Sequence, residues 1–237
     1  MDDLQELALP STIVKARIES PDRTYTIHIP RNEAYLIKEI IYDNEYAIMN
    51  ARRRKGPLRV VDIGANVGLF SIYMKFRDPE AVIHCFEPSS DTFSLLEANV
   101  GNLPGVSLHP YGLSDRRKAS ELHIHRFQTG QNSTKPNNGQ YSGSIPILLE
   151  SAAFEFDRLG LDAIDVLKVD TEGCEVEILQ SLKNRLPDID YVLVEYHFEE
   201  DRRLIDQILG EFHLFASKSR FLHLGTVKYV NSRLIER

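Results

Sequence analysis

The sequence predicts an α/β fold in which a doubly wound, mostly parallel sheet is covered by helices on both faces. From Leu58 onward, short apolar segments alternate with segments that carry apolar side chains at helical spacing. The strand-like segments are apolar almost without interruption, which is typical of parallel strands buried on both faces. With 237 residues, the chain is long enough for one such domain and a small additional element.

The additional element is predicted at the N-terminus. Residues 13–18 and 25–29 alternate apolar and polar side chains around a Ser-Pro-Asp turn, a pattern that predicts a β-hairpin. Asn32 is a suitable N-cap for a helix that we expect to continue to about Asn50, because apolar side chains recur in it at helical spacing.

We therefore expect an accessory element over residues 1–57 and a main domain over residues 58–237. Strands of the main domain are predicted at residues 59–63, 82–86, 106–111, 163–169 and 189–195. Helices are predicted at residues 67–76, 91–100, 172–183 and 202–209, and two final antiparallel strands at 212–217 and 228–233. Right-handed crossovers in such a sheet place a ligand at the carboxyl ends of its strands.

The first strand of the main domain ends in a glycine turn. Asp62 closes the strand, and Gly64 and Gly68 frame the turn before the next helix. Glycine lets a ligand approach the backbone closely, and the helix aims its first N–H groups at that ligand. Asn66 stands where the dinucleotide fingerprint has its second glycine, which favours a cofactor with a carboxylate, an amine and a ribose over a pyrophosphate. The Asp62 carboxylate can hold an ammonium group, directly or through water, or else cap the turn.

The next two strand ends add polar groups. Glu87 follows the second strand about 20 residues beyond the turn, where an acid accepts hydrogen bonds from ribose hydroxyls, and Pro88 fixes its direction. The alternative is a solvated acid at the end of a strand. Ser114 and Asp115 follow the third strand and either contact an adenine edge or form a plain polar turn.

The fourth and fifth strands end in the residues that we expect to carry chemistry. Lys168 and Asp170 share side-chain parity on one strand, and Glu172 follows them. Glu195 and His197 share parity on the other. Histidine titrates near neutral pH and can take a proton from a hydroxyl, so His197 is the predicted base, oriented by Glu195. Asp170 and Glu172 would hold the hydroxyls of the acceptor.

Structural roles are the alternatives for these groups, with Asp170 as a helix cap and His197 as a buried structural histidine. Asp170, Glu195 and His197 could also bind a divalent metal, which we do not favour. Glu175 and Glu177 are expected to be exposed helix residues. The remaining histidines, such as His125 and His223, show no comparable setting.

A polar stretch rich in Gly and Asn, residues 128–144, interrupts the alternation of strands and helices. Connections of this length in compact domains are usually functional lids or disordered. We therefore expect it to cover the cofactor or the acceptor.

Composition narrows the class of protein. The formal net charge is −7, which disfavours nucleic acid or an anionic membrane as the main partner. No apolar run reaches the roughly 18 residues that span a bilayer, and the acidic N-terminus lacks the basic start of a signal peptide. Cys85 and Cys174 lack the spacing of a metal site. We expect a cytoplasmic protein, and a homodimer is possible.

Taken together, residues 58–198 resemble the FkbM-type family of S-adenosylmethionine-dependent methyltransferases. The resemblance rests on the glycine turn, Phe86-Glu87-Pro88, Gly112-Leu-Ser-Asp115, the Lys-Val-Asp-Thr-Glu-Gly-Cys-Glu block that starts at Lys168, and Glu195-Tyr-His197. It implies a Rossmann-like sheet of the class I methyltransferase type, S-adenosylmethionine as methyl donor, and O-methylation of a small-molecule hydroxyl.

Carried over from the family, Asp62, Gly64, Asn66 and Gly68 serve the methionine end of the cofactor, Glu87 the ribose and Asp115 the adenine. Two other classes stay open on the sequence alone. One is an NAD-dependent oxidoreductase, which shares the glycine turn and the ribose acid. The other is a catalytically silent module that binds cofactor.

Overall fold

The computed structural model of the protein describes residues 12–20, 23–126, 128–135 and 141–235. Its strands are β1 (Ile13–Glu19), β2 (Thr24–Pro30), β3 (Arg59–Ile63), β4 (Val82–Phe86), β5 (Val106–His109), β6 (Gly112–Ser114), β7 (Lys118–His125), β8 (Tyr141–Ser151), β9 (Ile164–Val169), β10 (Ile189–Tyr196), β11 (Phe212–Phe221) and β12 (Leu224–Asn231). Its α-helices are α1 (Tyr35–Ile37), α2 (Leu69–Arg77), α3 (Ser90–Val100), α4 (Ala152–Arg158), α5 (Glu175–Ser181) and α6 (Glu199–Ile208).

Seven of these strands form the central sheet, in the order β11-β12-β10-β9-β3-β4-β5. The five from β5 to β10 run parallel, and β12 pairs antiparallel with both β10 and β11. The chain builds β3, β4 and β5 toward one edge and later adds β9 and β10 on the other side of β3. The order of strands therefore reverses between β3 and β9, which is where ligands bind in doubly wound sheets. The predicted doubly wound, mostly parallel sheet is confirmed.

Apolar side chains fill both faces of the sheet because successive residues of a strand point to opposite sides. On β3, Val61 and Ile63 join one buried cluster, which also contains Leu179 of α5. Val60 joins the other, together with Phe70 of α2. The uninterrupted apolar pattern of the strands follows from this double burial.

The N-terminal hairpin packs onto the second of these clusters. Ile27 and Ile29 of β2 are 0% exposed and contact it. The Asn99 side chain accepts a hydrogen bond from the backbone N–H of His28 (2.7 Å) and donates to the carbonyls of His28 (2.9 Å) and Val67 (2.8 Å). The hairpin is thus joined to the core by apolar contacts and to α3 by hydrogen bonds. The domain division after residue 57 stays a prediction, and the turn residues Pro21 and Asp22 lie outside the described residues.

The predicted helix over residues 32–50 is wrong in its extent. A 3-10 turn (Arg31–Glu33), α1 and a π-helical turn (Lys38–Tyr42) follow one another, and the helical path ends at Tyr42. Asn44 then adopts a left-handed conformation with φ of 54°, which is a common way to end a helix. The chain beyond it is free to turn toward the edge of the sheet.

A second, three-stranded sheet in the order β6-β8-β7 is absent from our sequence predictions. Leu122 of β7 and Ile147 and Leu149 of β8 are buried in the first cluster. Residues 141–144, which we expected in a loop, belong to β8, and residues 136–140 lie outside the described part of the chain. Residues 145–149 read Ile-Pro-Ile-Leu-Leu, an apolar run without apolar–polar alternation, so this strand had only a weak signal in the sequence.

The hairpin offers a test of whether it folds together with the sheet. We expect Ile27→Ala to lower the free energy of unfolding by about 2–5 kcal/mol, because it leaves a cavity in a shared core. Ile13→Ala on the partner strand removes a side chain that is 45% exposed and should cost less than about 1 kcal/mol. Urea unfolding with a single transition measures both. A small loss for Ile27→Ala would mean that the hairpin contributes little to the folded core.

Candidate active site

A cleft opens at the carboxyl ends of β3, β4, β9 and β10. It comprises a cavity of about 280 Å³ and a smaller one of about 70 Å³. The two cavities share five lining residues: Gly64, Asn66, Gly130, Asp170 and Glu172. The glycine turn therefore separates and borders two adjoining compartments.

The glycine turn is shaped by the close approach of β9. Gly64 has φ of 78°, and a Cβ built on it would lie 1.7 Å from the carbonyl oxygen of Asp170. Only glycine lets β3 end beside that carbonyl. The N–H groups of Gly64 and Ala65 both donate to the Phe86 carbonyl at 3.0 Å, and Asn66 follows in a left-handed conformation with φ of 49°. Gly64 and Asn66 lie on the cavity wall, and their contact with a cofactor stays a prediction.

Gly68 has a different role from the one predicted. It has φ of 87° at the start of α2, and a Cβ there would lie 3.0 Å from side-chain atoms of Leu96 and Val100. It lines neither cavity. This glycine allows α2 and α3 to pack closely and does not face the ligand space.

Glu87 lies at the wall of the smaller cavity. Its carboxylate accepts hydrogen bonds from the backbone N–H groups of Asn66 (3.0 Å) and Ser89 (2.9 Å). Burial raises its pKa to about 7 despite these two bonds. Each carboxylate oxygen has a further lone pair, so the group can still accept hydroxyl hydrogen bonds. Apolar side chains complete this cavity, among them Pro88, Leu113, Leu122, Ile147 and Leu149.

Asp62 lies behind the cavity wall, so the predicted direct contact with a ligand is not available to it. Its side chain is 0% exposed. One oxygen accepts from Ser71 Oγ at 2.8 Å, and the other lies 3.2 Å from Lys168 Nζ. Asp62 does hold an ammonium group, but it is the one of Lys168. That same Nζ donates to the Gly64 carbonyl at 2.8 Å and lies 3.3 Å from an oxygen of Asp170.

Ser114 and Asp115 do not line the described cavities, contrary to their predicted place beside the adenine. Ser114 is buried and donates to Glu177 at 2.5 Å, and Asp115 pairs with Arg116 and Lys118 on the surface. The backbone turns away from the cleft after Leu113, since β6 pairs with β8 there. Gly112 and Leu113, which precede them, line the smaller cavity instead.

Asp170, Glu172 and His197 come together on the cavity wall. His197 Nε2 lies 3.1 Å from Glu172 Oε1, and its Nδ1 lies 3.3 Å from Glu175 Oε1. Burial disfavours the charged form of His197, but Glu172 and Glu175 outweigh it and raise the pKa well above the usual histidine value. Burial also raises the pKa of Glu172. The two carboxylates therefore favour the protonated form of the His197 ring.

Glu175 corrects the expectation of an exposed helix residue. It is 0% exposed and accepts hydrogen bonds from the backbone N–H groups of Thr171 (3.0 Å) and Gly173 (3.1 Å). Burial opposes its charge, but the His197 ring and these backbone donors hold its pKa down at about 2. The turn that it fixes presents Glu172, whose φ is 55°, to the cavity. Helix α5 consequently starts at Glu175, later than predicted.

The prediction that Glu195 orients His197 is wrong, because Glu172 and Glu175 are the carboxylates beside that ring. Glu195 lines the larger cavity and accepts a hydrogen bond from the Tyr46 hydroxyl at 3.3 Å. Burial, with the nearby charge of Asp170, raises its pKa to about 8. Strand parity placed both residues at one strand end, but β10 ends at Tyr196 and the chain turns there.

The residues that could hold a metal ion also differ from the set we considered. Among the described residues, ligand atoms of Asp170, Glu172 and His197 lie within 4.8 Å of one another. Glu195 is not part of this group. The His197 proton would have to leave before the ring could ligate a metal.

Three segments distant in sequence close the larger cavity, and one of them, residues 128–135, falls in the stretch that we predicted to cover the site. Residues 33–46 contribute Tyr35 and Tyr46, and the β11–β12 hairpin contributes Phe221 and His223. Residues 128–135 lie over the glycine turn: Gln128, Gly130, Gln131 and Ser133 all line the cavity. Ser133 Oγ and the Thr134 N–H donate to the Glu172 carbonyl at 2.5 and 3.2 Å. His125 and His223, which we set aside, both line the cavity.

The family model of the methyltransferase FkbM domain matches residues 62–221. The chain belongs to the FkbM methyltransferase family. The resemblance inferred from the motifs is confirmed, and the match favours methyl transfer over nicotinamide-dependent oxidoreduction.

Relatives and a solved structure agree with this assignment. The methyltransferase sdnD of Sordaria araneosa is 30% identical, over 68% of this chain and 73% of its own. The 31-O-demethyl-FK506 methyltransferase FkbM of Streptomyces tacrolimicus is 25% identical, over 81% of this chain and 83% of its own. The solved FkbM methyltransferase of Methylobacillus flagellatus KT shares the fold, with a TM-score of 0.53 and 14% identity over 80% of this chain. This FkbM-family chain spans only 46% of that protein.

One further property of the FkbM-family chain concerns membranes. Within the described ranges, no helix has both the length and the apolar character needed to cross a bilayer. The expectation of a cytoplasmic location stays a prediction.

Glu175 and Glu177 of this FkbM-family chain form a matched pair for testing the buried ion cluster. We expect Glu175→Gln to lower the free energy of unfolding at pH 7 by about 3 kcal/mol, because it leaves His197 and two backbone donors without a buried anion. Glu177→Gln, at a half-exposed site, should cost less than about 1 kcal/mol. Urea unfolding distinguishes the two.

The pKa of Glu175 determines how its contribution to stability changes with pH. A depressed pKa means that Glu175 stabilises the fold above the unfolded value of 4.5, and that this contribution is lost as the pH falls toward about 2. Wild-type protein should therefore lose stability over this interval more steeply than Glu175→Gln. Parallel curves for the two proteins would contradict the assignment.

Proposed function

We propose that the protein is an S-adenosylmethionine-dependent O-methyltransferase that acts on a hydroxyl of a small molecule. The observation that carries the proposal is the buried Glu87 carboxylate, held by the glycine turn at the wall of an apolar slot, directly beside a cavity that is lined by acids. Family membership supports methyl transfer. The name of the FK506 relative denotes an O-methyltransferase, which supports a hydroxyl acceptor.

The smaller cavity fits the nucleoside part of such a donor. Glu87 can accept from two ribose hydroxyls, and Leu113, Leu122 and Ile147 offer an apolar surface for a purine. Gly64 and Asn66 border the passage into the larger cavity, where the methionine part would extend. Bound there, S-adenosylmethionine supplies an electrophilic methyl group on a sulfonium.

The larger cavity provides the groups that act on the acceptor. Asp170 and Glu172 can accept hydrogen bonds from acceptor hydroxyls and fix their direction, which is the main catalytic requirement of an in-line transfer. The base role that the sequence suggested for His197 passes to Glu172, because the two carboxylates beside the His197 ring favour its protonated form. The hydroxyl proton moves to the Glu172 carboxylate, and the imidazolium beside it holds that carboxylate in place.

Lys168 serves as a positioning residue in this proposal. Its ammonium group lies between Asp62, Asp170 and the Gly64 carbonyl, so it fixes the direction of the Asp170 carboxylate. The rings of Tyr46 and Phe70 lie 5.9 and 5.8 Å from Nζ and shield it. We propose that the acceptor is a small hydroxylated molecule. The net charge of −7 disfavours nucleic acid and anionic membranes as partners.

Binding of the cofactor product tests the first half of the proposal. We expect S-adenosylhomocysteine to bind in calorimetric titration and NAD not to bind. Glu87→Ala should weaken the binding of S-adenosylhomocysteine by about 100-fold, because two hydroxyl hydrogen bonds to a buried carboxyl group are lost. Glu97→Ala, at an exposed site on α3, is the matched control. Tighter binding of NAD than of S-adenosylhomocysteine would contradict the proposal.

The rate of methyl transfer tests the proposed role of Glu172 as the base. Glu172→Gln should lower kcat by about 100-fold while leaving S-adenosylhomocysteine affinity unchanged within a few-fold. The wild-type rate should rise with pH through a pKa above the usual glutamate value, since Glu172 must be ionised to accept a proton. Glu200→Gln, an exposed acid on α6, should behave as wild type. Normal kcat in Glu172→Gln would exclude this residue as the base, and cofactor binding without methylated product across a broad hydroxyl panel would indicate a silent module.

A further inference from the structure

The turn that carries Glu172 is held in an unfavourable backbone conformation. Glu172 has φ of 55°, in the left-handed region that residues with a Cβ rarely adopt. Such a conformation costs free energy and persists only where surrounding contacts impose it. Glu175 supplies some of these contacts, because its carboxylate accepts from the N–H groups of Thr171 and Gly173, on either side of Glu172. Further contacts reach the backbone carbonyl of Glu172 itself.

Ser133 bonds directly to that carbonyl. Its Oγ donates to the Glu172 carbonyl at 2.5 Å, and the Thr134 N–H donates to the same oxygen at 3.2 Å. A hydroxyl has one proton to donate, and the Glu172 carbonyl is a closer acceptor than the Lys135 carbonyl at 3.1 Å. Ser133 Oγ in turn accepts from the Lys135 N–H at 3.1 Å. This buried hydroxyl is therefore committed to the turn and to its own segment.

The backbone of Ser133 is fixed by the second sheet. Its N–H donates to the His123 carbonyl at 3.0 Å, and its carbonyl accepts from the His123 N–H at 2.9 Å. His123 is part of β7, which pairs with β8. The turn also packs on this segment, because a Cβ on Gly173 would lie 2.9 Å from Thr134 Oγ1. The second sheet is thereby connected to the Glu172 backbone through one hydroxyl and one N–H.

The position of the Glu172 carboxylate depends on the conformation of this turn. The carboxylate lies 3.1 Å from His197 Nε2, and Glu172 lines both cavities. If the backbone at residue 172 left the left-handed region, the side chain would start in another direction and the carboxylate would move away from the ring. A displacement of about 1 Å in a reacting group can slow a reaction by about 100-fold. A single hydrogen bond to the turn can therefore have a large effect on the reaction.

We propose that Ser133 is a positioning residue for methyl transfer, which holds the Glu172 carboxylate in place through its hydrogen bond to the Glu172 carbonyl. This inference rests on the proposed function, because it assigns a residue to the same reaction. It adds that the second sheet, which carries neither Glu87 nor Glu172, has a part in that reaction.

A crystal structure of Ser133→Ala with S-adenosylhomocysteine tests the geometry without an acceptor. We expect residue 172 to leave the left-handed region and its carboxylate to lie at least about 1 Å farther from His197 Nε2 than in wild type. Ser142→Ala is the matched control, because Ser142 Oγ also donates to a backbone carbonyl, that of Ile124 on β7 at 3.3 Å, but lines neither cavity. An unchanged position of Glu172 in Ser133→Ala would overturn the proposal.

Kinetics test the consequence for the reaction, with the hydroxyl compound that wild-type protein methylates fastest as acceptor. Ser133→Ala should lower kcat by about tenfold and leave the affinity for S-adenosylhomocysteine unchanged within about threefold. Combined with Glu172→Gln, it should cause no further loss of kcat, because no base remains to be positioned. Ser133→Thr keeps the hydroxyl at the border of the larger cavity and should retain most of the wild-type kcat. A further tenfold loss in the double variant would overturn the proposal, since Ser133 would then act independently of Glu172.

The failure of this proposal differs from the failure of the proposed function. If wild-type protein binds no S-adenosylhomocysteine, or methylates no hydroxyl compound, the proposed function fails. If wild-type protein is active and Ser133→Ala keeps the kcat of Ser142→Ala, only the positioning role fails. A Ser133→Ala protein that does not fold would also overturn that role, because the hydroxyl would then serve the fold as a whole.

Discussion

A single buried ammonium group, that of Lys168, joins the parts of the molecule on which the site depends. Its side chain is 5% exposed, and it lies between the carboxylates of Asp62 and Asp170 and the carbonyl of Gly64. Burial of an unpaired charge would be very costly, so the three acceptors and the cation require one another. Burial lowers the pKa of Lys168, but these two carboxylates outweigh it and raise the pKa above the usual lysine value. The ends of β3 and β9 are thereby held together at the point where strand order reverses.

A second buried cluster extends the same principle to β10. His197 shares its charge with Glu172 and Glu175, and Glu175 also accepts from the backbone of the turn that displays Glu172. Two protonated groups and several carboxylates thus alternate across the floor of the cleft. Such a network is rigid because removing any member leaves a buried partner unpaired. Rigid placement of the acids is what an in-line transfer needs most.

Features that depend on residues close in sequence could be predicted, whereas features that depend on contacts between distant parts of the chain could not. Apolar runs predicted the strands β3 and β4, and the spacing from the glycine turn predicted the position of Glu87 just after β4. The burial of Glu175 could not be predicted, because it depends on the conformation of the turn at residues 171–173 and on His197, which follows β10. Asp62 looked like a ligand-binding acid because its neighbour Lys168 is 106 residues away in the chain. Two of the walls of the larger cavity, residues 33–46 and the β11–β12 hairpin, escaped prediction for the same reason, since their residues show no shared motif.

Those walls have a thermodynamic consequence. The cleft is completed by residues 33–46 near the start of the chain, residues 128–135 in its middle, and Arg220 to Leu224 near its end. A molecule that fills the cleft touches all three segments at once, and the unfolded chain offers no such surface. A ligand bound in the cleft therefore stabilises the folded chain. Each tenfold rise in ligand concentration above the dissociation constant adds about 1.4 kcal/mol to the free energy of unfolding. The concentration of ligand in its surroundings thus shifts the equilibrium between folded and unfolded chain.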